Sequence, residues 1–125
     1  MALDLSLRPG PRAPAEARRT LSVGFGDLDP DTLARLRLLV TELVTNSVRH
    51  GGLAEDDAIE LSVRRAEDRI RVAVTDPGAG FRPATPPRPD ADRPAGWGLY
   101  LVDRLADRWG VTSDGETRVW FELDC

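Results

Sequence analysis

The sequence predicts an α/β two-layer sandwich, in which helices cover one face of a mainly antiparallel sheet. Three observations support this fold class. Short segments that alternate apolar and polar residues indicate strands, longer segments with apolar residues three and four apart indicate helices, and turn residues separate neighbouring strands. The resulting order is β-α-α-β-β-loop-α-β-β, which places the helices together on one face of such a sheet.

The chain begins with a predicted strand and a short predicted helix. Residues 3–8 alternate apolar and polar, as in a half-buried strand, and Pro9-Gly10-Pro11 ends that pattern. Residues 14–24 are a candidate for a short helix.

A long helix is predicted from about Pro30 to His50, ending at Gly51-Gly52. Asp29 can cap its first turn, proline suits the first helical position, and Asp31 favours the positive end of the helix. The following residues form its predicted core-facing stripe: Leu33, Leu36, Val40, Leu43, Val44 and Ser47.

Two strands and a long loop follow. Residues 58–65 and 69–75 alternate in the same way and are joined near Glu67-Asp68, which predicts an antiparallel hairpin. Residues 82–95 are rich in Pro, Ala, Arg and Asp and carry no periodicity, which is typical of a mobile loop.

The C-terminal part is predicted to add a helix and a second hairpin. The helix covers residues 97–107, and the strands cover about 109–113 and 117–123, with a turn at Asp114-Gly115. Two strand tryptophans are expected in the core: Trp109 and Trp120.

Length and composition predict one domain, residues 1–125, of ordinary globular character. The 17 basic and 21 acidic side chains give a net charge of −4, so an overall basic footprint for nucleic acid is absent. A single cysteine, Cys125, excludes an internal disulfide. Because no apolar stretch is long enough for a signal peptide or a bilayer span, we expect a soluble cytoplasmic protein without membrane contact.

Polar residues line the edge of the long helix. Glu42, Asn46 and His50 are four apart and share a face, with Arg49 beside them. An Asn oxygen can ligate Mg²⁺, whereas a Glu can hold a metal-bound water or accept a proton, and His50 can contact phosphate or tune that carboxylate. Such residues are also common on the solvated face of a helix.

Two glycine-containing turns carry further chemistry. Asp76 ends a strand and can accept a hydrogen bond from an adenine amine, while Gly78 and Gly80 allow a ligand close to the backbone. Gly96 and Gly98 open a helix, where free N–H groups bind phosphate. A plain Asp-Pro-Gly turn and a flexible hinge are the alternatives, and neither turn has a dinucleotide-binding or Walker spacing.

In this order, Glu-x-x-x-Asn, Asp-x-Gly-x-Gly-Phe and Gly-x-Gly-Leu resemble the motifs of the GHKL ATPases, which have the Bergerat fold. That superfamily includes gyrase-type topoisomerases, the heat-shock chaperone, MutL proteins and histidine kinases. The segments ELVTNSVRHG, DPGAGF, GWGLYLVDRLADRWGV and VWFEL are similar to the anti-sigma factor serine kinases and the small ATP-binding regulators of actinomycetes. The resemblance covers about residues 35–123.

The resemblance implies a role for each matching residue. Asn46 would coordinate Mg²⁺ at the ATP phosphates, Glu42 would be the general base, and Asp76 would bind the adenine amine. Thr117 would support a water at the adenine, and residues 82–95 would be the ATP lid. The resemblance also places Gly78 and Gly80 at the adenine, and Gly96, Gly98 and Leu99 beneath the phosphates. Arg49 and His50, taken from the polar row of the helix, are further candidate cofactor-binding residues.

The resemblance implies an anti-sigma factor that is also a serine kinase. It would hold a sigma factor away from RNA polymerase and phosphorylate a STAS-type anti-anti-sigma protein, without contacting nucleic acid directly; a homodimer remains open. The alternative is a non-catalytic module whose partner affinity switches with ATP or ADP. A histidine kinase is disfavoured because no dimerisation helix carries a phospho-acceptor histidine, and a hydrolytic ATPase because no further domain supplies a catalytic arm.

Overall fold

The computed structural model describes residues 2–50, 53–78 and 97–125. Within those ranges the chain forms three helices and five strands in the predicted order. Their bounds are β1 Ala2–Leu7, α1 Ala13–Gly24, α2 Pro30–His50, β2 Ile59–Arg65, β3 Arg69–Asp76, α3 Trp97–Leu105, β4 Arg108–Ser113 and β5 Thr117–Asp124.

The five strands form one sheet in the order β1-β2-β3-β5-β4, and each neighbouring pair is antiparallel. β3 lies at the centre, and its last residue, Asp76, is directly opposite Thr117, the first residue of β5. This register places the end of one strand beside the start of another, and the candidate site lies there. The predicted two-layer α/β fold is confirmed.

The core lies between the helices and one face of the sheet. Successive side chains of a strand point to opposite faces, so Ile70, Val72 and Val74 of β3 all face the helices and are buried. α1 contributes an inner stripe spaced by four residues: Ala13, Ala17 and Leu21. Because apolar burial stabilises by about 25 cal/mol per Å², this layer is the main force that holds α2 against β3.

The start of α2 follows the predicted capping. An oxygen of the Asp29 carboxylate accepts a hydrogen bond from the backbone N–H of Thr32 at 3.1 Å, and Pro30 is the first helical residue. The cap satisfies one of the donors that a helix start leaves unpaired. α2 therefore begins at a fixed point, which sets the rotation of the polar residues near its other end.

Several predicted boundaries are wrong by one or two residues, among them the ends of α3 and β1. α3 ends at Leu105 rather than at residue 107, because the backbone N–H of Asp107 donates to the carbonyl of Glu122 in β5 at 2.9 Å. Asp107 therefore belongs to the approach to β4. β1 ends at Leu7, and Arg8 is exposed beyond it.

The prediction that Trp120 belongs to the core is wrong. β5 turns Val119 and Phe121 toward the helices, so Trp120 lies on the opposite face and is half-buried. There the guanidinium of Arg71 stacks 4.2 Å from the centre of the indole. Trp109 is also half-buried, but it packs against the edge of the core.

The absence of a side chain at Gly110 makes room for the Trp120 indole. A Cβ built on Gly110 would lie 2.7–2.9 Å from three atoms of that ring, closer than real Cβ contacts. Trp120 therefore lies flat across the neighbouring strand β4, which explains why a large aromatic residue fits on the open face.

Candidate functional site

A buried carboxylate marks the site. Asp76 is the last residue of β3 and only 5% of it is exposed. Its Oδ2 accepts a hydrogen bond from the Ser47 hydroxyl at 2.7 Å, and its Oδ1 accepts one from the backbone N–H of Gly78 at 2.8 Å. These two donors, one on each oxygen, fix the rotation of the carboxylate.

Thr117 holds the turn that follows Asp76. Its hydroxyl donates to the carbonyl of Gly78 at 3.0 Å, and Thr117 is itself 5% exposed. A buried carbonyl without a partner would be costly, so this bond stabilises the path of the chain after β3. Three elements thus meet at Asp76: α2 through Ser47, β3 itself, and β5 through Thr117.

The polar row of α2 lies beside this cluster along the helix. Glu42 and Asn46 are half-buried, whereas Arg49 is exposed. Within the described part of the chain, none of the three takes part in an ion pair or a side-chain hydrogen bond. Glu42 and Asn46 are separated by about 6 Å along the helix axis. Among the described residues, therefore, nothing occupies the polar groups along this edge of the helix.

Asn46 fits a Mg²⁺ ion bound mainly by a ligand. Among residues 2–50, 53–78 and 97–125, no group of three or more His, Cys, Asp or Glu side chains could hold a metal by itself. Mg²⁺ usually keeps several waters and binds through one or two protein oxygens together with substrate phosphates. A single neutral amide oxygen suits that mode of binding.

Two of the residues predicted to lie beneath the phosphates, Gly98 and Leu99, are among those that the structure describes. Gly98 lies in the first turn of α3, and Leu99 is 2% exposed and packs in the core. Leu99 thereby anchors the start of α3 in the core. The predictions for Gly80, Gly96, the His50 side chain and the lid at 82–95 lie outside the described residues.

An acidic groove borders Asp76 on one side. Its volume is about 290 Å³, and its charged lining consists of Asp56, Asp57, Glu60, Asp76 and Glu116. Carboxylates at this density repel a polyphosphate by Coulomb interaction. A nucleotide whose base contacts Asp76 would therefore extend its phosphates away from this groove, toward α2 and α3.

The prediction for α2 missed the role of Ser47. It was assigned to the core-facing stripe, and it is indeed buried, with 8% exposed, but its hydroxyl is bound to Asp76. The available signal was its position as the one hydroxyl residue in an otherwise apolar stripe. A buried polar side chain needs a partner, so it pointed to a polar group across the interface.

Comparison with known protein families gives one match that spans most of the chain. Residues 8–123 match the family described as histidine kinase-like ATPase domain. The matched range includes every predicted site residue.

Two curated relatives are about one-third identical to the chain over the aligned residues. The anti-sigma F factor of Clostridium botulinum is 32% identical over 117 residues, covering 84% of this chain and 81% of the relative. The serine-protein kinase RsbW of Bacillus licheniformis is 33% identical over 101 residues, covering 71% and 63%.

Solved structures support the same fold. The histidine kinase domain of the blue-light-activated histidine kinase from Erythrobacter litoralis superposes with a TM-score of 0.61 at 20% identity, over 89% of this chain. The longer structure of that kinase gives 0.63 at 21% identity over 94%. The chain spans 58% and 42% of those two structures, and at this identity the likeness concerns the fold alone. Within the described ranges, no helix combines the length and apolar character needed to cross a bilayer.

Proposed function

Because the chain belongs to the family of histidine kinase-like ATPase domains, we propose that it binds Mg·ATP and acts as an anti-sigma factor with serine-protein kinase activity. The observation that carries the proposal is Asp76. A buried carboxylate is costly unless it is fully paired or used, and Asp76 has neutral donors only and no ion pair within the described ranges.

Asp76 recognises the base. An ionised carboxylate has about four lone-pair positions, and the bonds from Ser47 and Gly78 occupy two of them. The others can accept from the exocyclic amine of adenine. Gly78 lies against the base, and Thr117 keeps the Gly78 peptide in place.

α2 and the start of α3 serve the phosphates. Asn46 would ligate the Mg²⁺, which supplies charge neutralisation at the phosphates. Arg49 lies about one turn further along α2 and would add positive charge on that side, and His50 follows it in the sequence. The N-terminus of α3, with Gly96 and Gly98, would supply backbone N–H groups.

Glu42 would act as the general base for phosphoryl transfer. The serine oxygen of a partner protein forms a bond to the γ-phosphorus, the bond from that phosphorus to the β,γ-bridging oxygen breaks, and ADP leaves. Glu42 accepts the proton of the serine hydroxyl. Its half-buried carboxylate has no competing partner among the described residues, which suits a proton acceptor.

The relatives' names support the choice of partners. Anti-sigma F factor names a protein that acts on a sigma factor, and serine-protein kinase names the reaction. We therefore propose a sigma factor as the sequestered partner and a STAS-type anti-anti-sigma protein as the phosphorylated one. The site would work in the cytoplasm, without direct contact to nucleic acid, and a homodimer is compatible with it.

The test separates binding from transfer. Glu42→Gln is expected to retain Mg·ATP affinity within about twofold and to lower transfer of radiolabelled phosphate to a co-encoded STAS protein by about 100-fold or more. Glu67→Gln, which neutralises an exposed carboxylate in the turn between β2 and β3, is the matched control and should transfer normally. Normal transfer by Glu42→Gln would refute the base assignment. Binding by the wild type without transfer to any co-encoded STAS protein would favour the non-catalytic module.

A further inference from the structure

The position of Ser47 is one that an apolar residue could fill. It follows Leu43 and Val44 on the core-facing side of α2, and both of these are almost completely buried. Alanine would satisfy the same helix and the same packing, since it has a higher helix propensity than serine. The hydroxyl therefore needs a separate explanation, and its bond to Asp76 Oδ2 at 2.7 Å provides one.

Three described polar hydrogens lie at or next to Asp76, and each is donated to an acceptor within the protein. A serine hydroxyl has one hydrogen, and that of Ser47 goes to Asp76 Oδ2. The N–H of Gly78 goes to Asp76 Oδ1, and the hydroxyl hydrogen of Thr117 goes to the Gly78 carbonyl. The Ser47 hydroxyl, the Asp76 carboxylate, the Gly78 peptide and the Thr117 hydroxyl can therefore offer a ligand only lone pairs, which accept hydrogen bonds.

A set of acceptors distinguishes between purines. Adenine has an amine at position 6, which donates, whereas guanine and hypoxanthine have a carbonyl oxygen there, which accepts. A carbonyl that faces buried acceptors gains no hydrogen bond and is repelled by the carboxylate. If Ser47 were absent, the carboxylate would lose one of its two fixed donors, and it could rotate or take up a water.

We propose that Ser47 is a positioning residue that determines base specificity. Its hydroxyl holds the Asp76 carboxylate in the arrangement that accepts a 6-amino purine and rejects a 6-oxo purine. This inference rests on the proposed nucleotide binding at Asp76. The alternative is a purely structural role, in which the hydrogen bond only holds α2 against β3. The experiment has to distinguish this role from base specificity.

Three nucleotides separate the two roles in a calorimetric titration with Mg²⁺. ADP carries the amine, inosine 5′-diphosphate carries the carbonyl, and purine riboside 5′-diphosphate carries neither. Ser47→Ala is expected to weaken ADP binding about tenfold and to leave purine riboside diphosphate within about twofold. The preference for ADP over inosine diphosphate should fall by a similar factor. Thr20→Ala, which removes a hydroxyl bonded within α1 to the Glu16 carbonyl, should change none of these.

Two further variants exclude a packing effect. Ser47→Cys keeps the shape of the side chain and fills its space with a somewhat larger thiol, which is a weaker donor, so it should also lose ADP affinity selectively. In an Asp76→Asn background, Ser47→Ala should cause no further loss of ADP affinity, because the carboxylate through which it acts is gone.

The contrary outcomes are distinct. Equal loss of ADP and purine riboside diphosphate, or a full tenfold loss in the Asp76→Asn background, would show a structural role and overturn the inference. Unchanged ADP affinity in Ser47→Ala would also overturn it, while leaving the proposed nucleotide binding intact. Failure of the wild type to bind any of the three nucleotides would overturn the proposed function together with the inference.

Discussion

Two buried carboxylates lie on opposite faces of the same sheet, and their surroundings differ in charge. Asp76 faces the helices with 5% exposed, and Glu122 lies on the open face with 8% exposed. Glu122 Oε1 accepts from Arg108 at 2.6 Å, its Oε2 accepts from Arg71 at 3.2 Å, and Arg69 lies 3.9 Å away. Among the described residues, Asp76 accepts only from a hydroxyl and a peptide N–H.

The difference separates a structural carboxylate from one available to a ligand. The hydrogen bond from Arg108 lowers the pKa of Glu122 below its ordinary value of 4.5, against burial, which raises it, and the hydrogen bond from Arg71 lowers it further. The arginines that surround Glu122 are themselves partly exposed, and Arg71 also covers Trp120. Glu122 therefore has its charge balanced inside the protein, whereas Asp76 has no cation beside it among the described residues, and we propose that its charge and remaining lone pairs serve a bound nucleotide.

The largest expected effect comes from removing the charge of Asp76. Asp76→Asn should weaken Mg·ADP binding by about 100-fold, because an amide in its place presents an N–H₂ group toward the adenine amine. Glu122→Gln, the same carboxyl-to-amide change on the other face, should bind within about twofold of the wild type. Calorimetry on both variants measures the two affinities. Similar losses of ADP affinity in both variants would show that the two carboxylates do not differ in their importance for binding.

Stability should show the opposite order. Glu122→Gln leaves Arg108 and Arg71 facing a neutral amide, and it should lower the free energy of unfolding by about 2 kcal/mol in urea denaturation. Asp76→Asn should lower the free energy of unfolding by less, because among the described residues it leaves no cation without its partner. A Glu122→Gln protein as stable as the wild type would show that the arginines contribute nothing through this carboxylate.

Lowering the pH should remove the stabilisation that the carboxylates on the open face of the sheet provide. The pKa of Glu122 is lowered in the folded state, and so is that of Asp124, chiefly through its hydrogen bond from Arg108. The stabilisation they provide is complete above the unfolded-state pKa and is lost as the pH falls through the folded-state pKa. Unfolding free energy should therefore decline below about pH 4.5, and the decline should be shallower in Glu122→Gln. Parallel pH profiles for the two proteins would contradict this.

The smallest expected effect concerns the support of the turn after Asp76. Thr117→Val keeps the shape of the side chain but leaves the Gly78 carbonyl without its donor, so ADP binding should weaken about fivefold. Thr112→Val changes an exposed threonine of β4 and should have no effect on binding. If both threonine variants bound equally well, the Gly78 peptide would not depend on Thr117.

The pattern of apolar and polar residues was sufficient to predict the fold, because each helix and strand can be recognised from its own residues. The alternation of Ile70, Val72 and Val74, and the capping by Asp29, require no knowledge of neighbours. The same holds for Asp76, which stands out as an acid at the end of an apolar strand.

Features that depend on register could not be predicted in this way. The Ser47–Asp76 bond joins residues 29 apart, and the cluster around Glu122 forms because Arg71 and Arg108 are both directly opposite it in the sheet. The alternation within β5 places Trp120 on the face opposite Val119 and Phe121, but the space above Gly110 that accommodates its indole depends on the pairing of β5 with β4. Pairwise geometry across the sheet decides these contacts, and single segments do not reveal it.

Titration of the wild-type chain with Mg·ATP in a calorimeter tests the central claim most directly. We expect saturable binding of one nucleotide per chain, with ATP preferred over inosine triphosphate because the Asp76 site offers acceptors. Absence of any binding heat up to millimolar nucleotide, at two temperatures that rule out a zero enthalpy, would contradict the assignment of Asp76 to a nucleotide base.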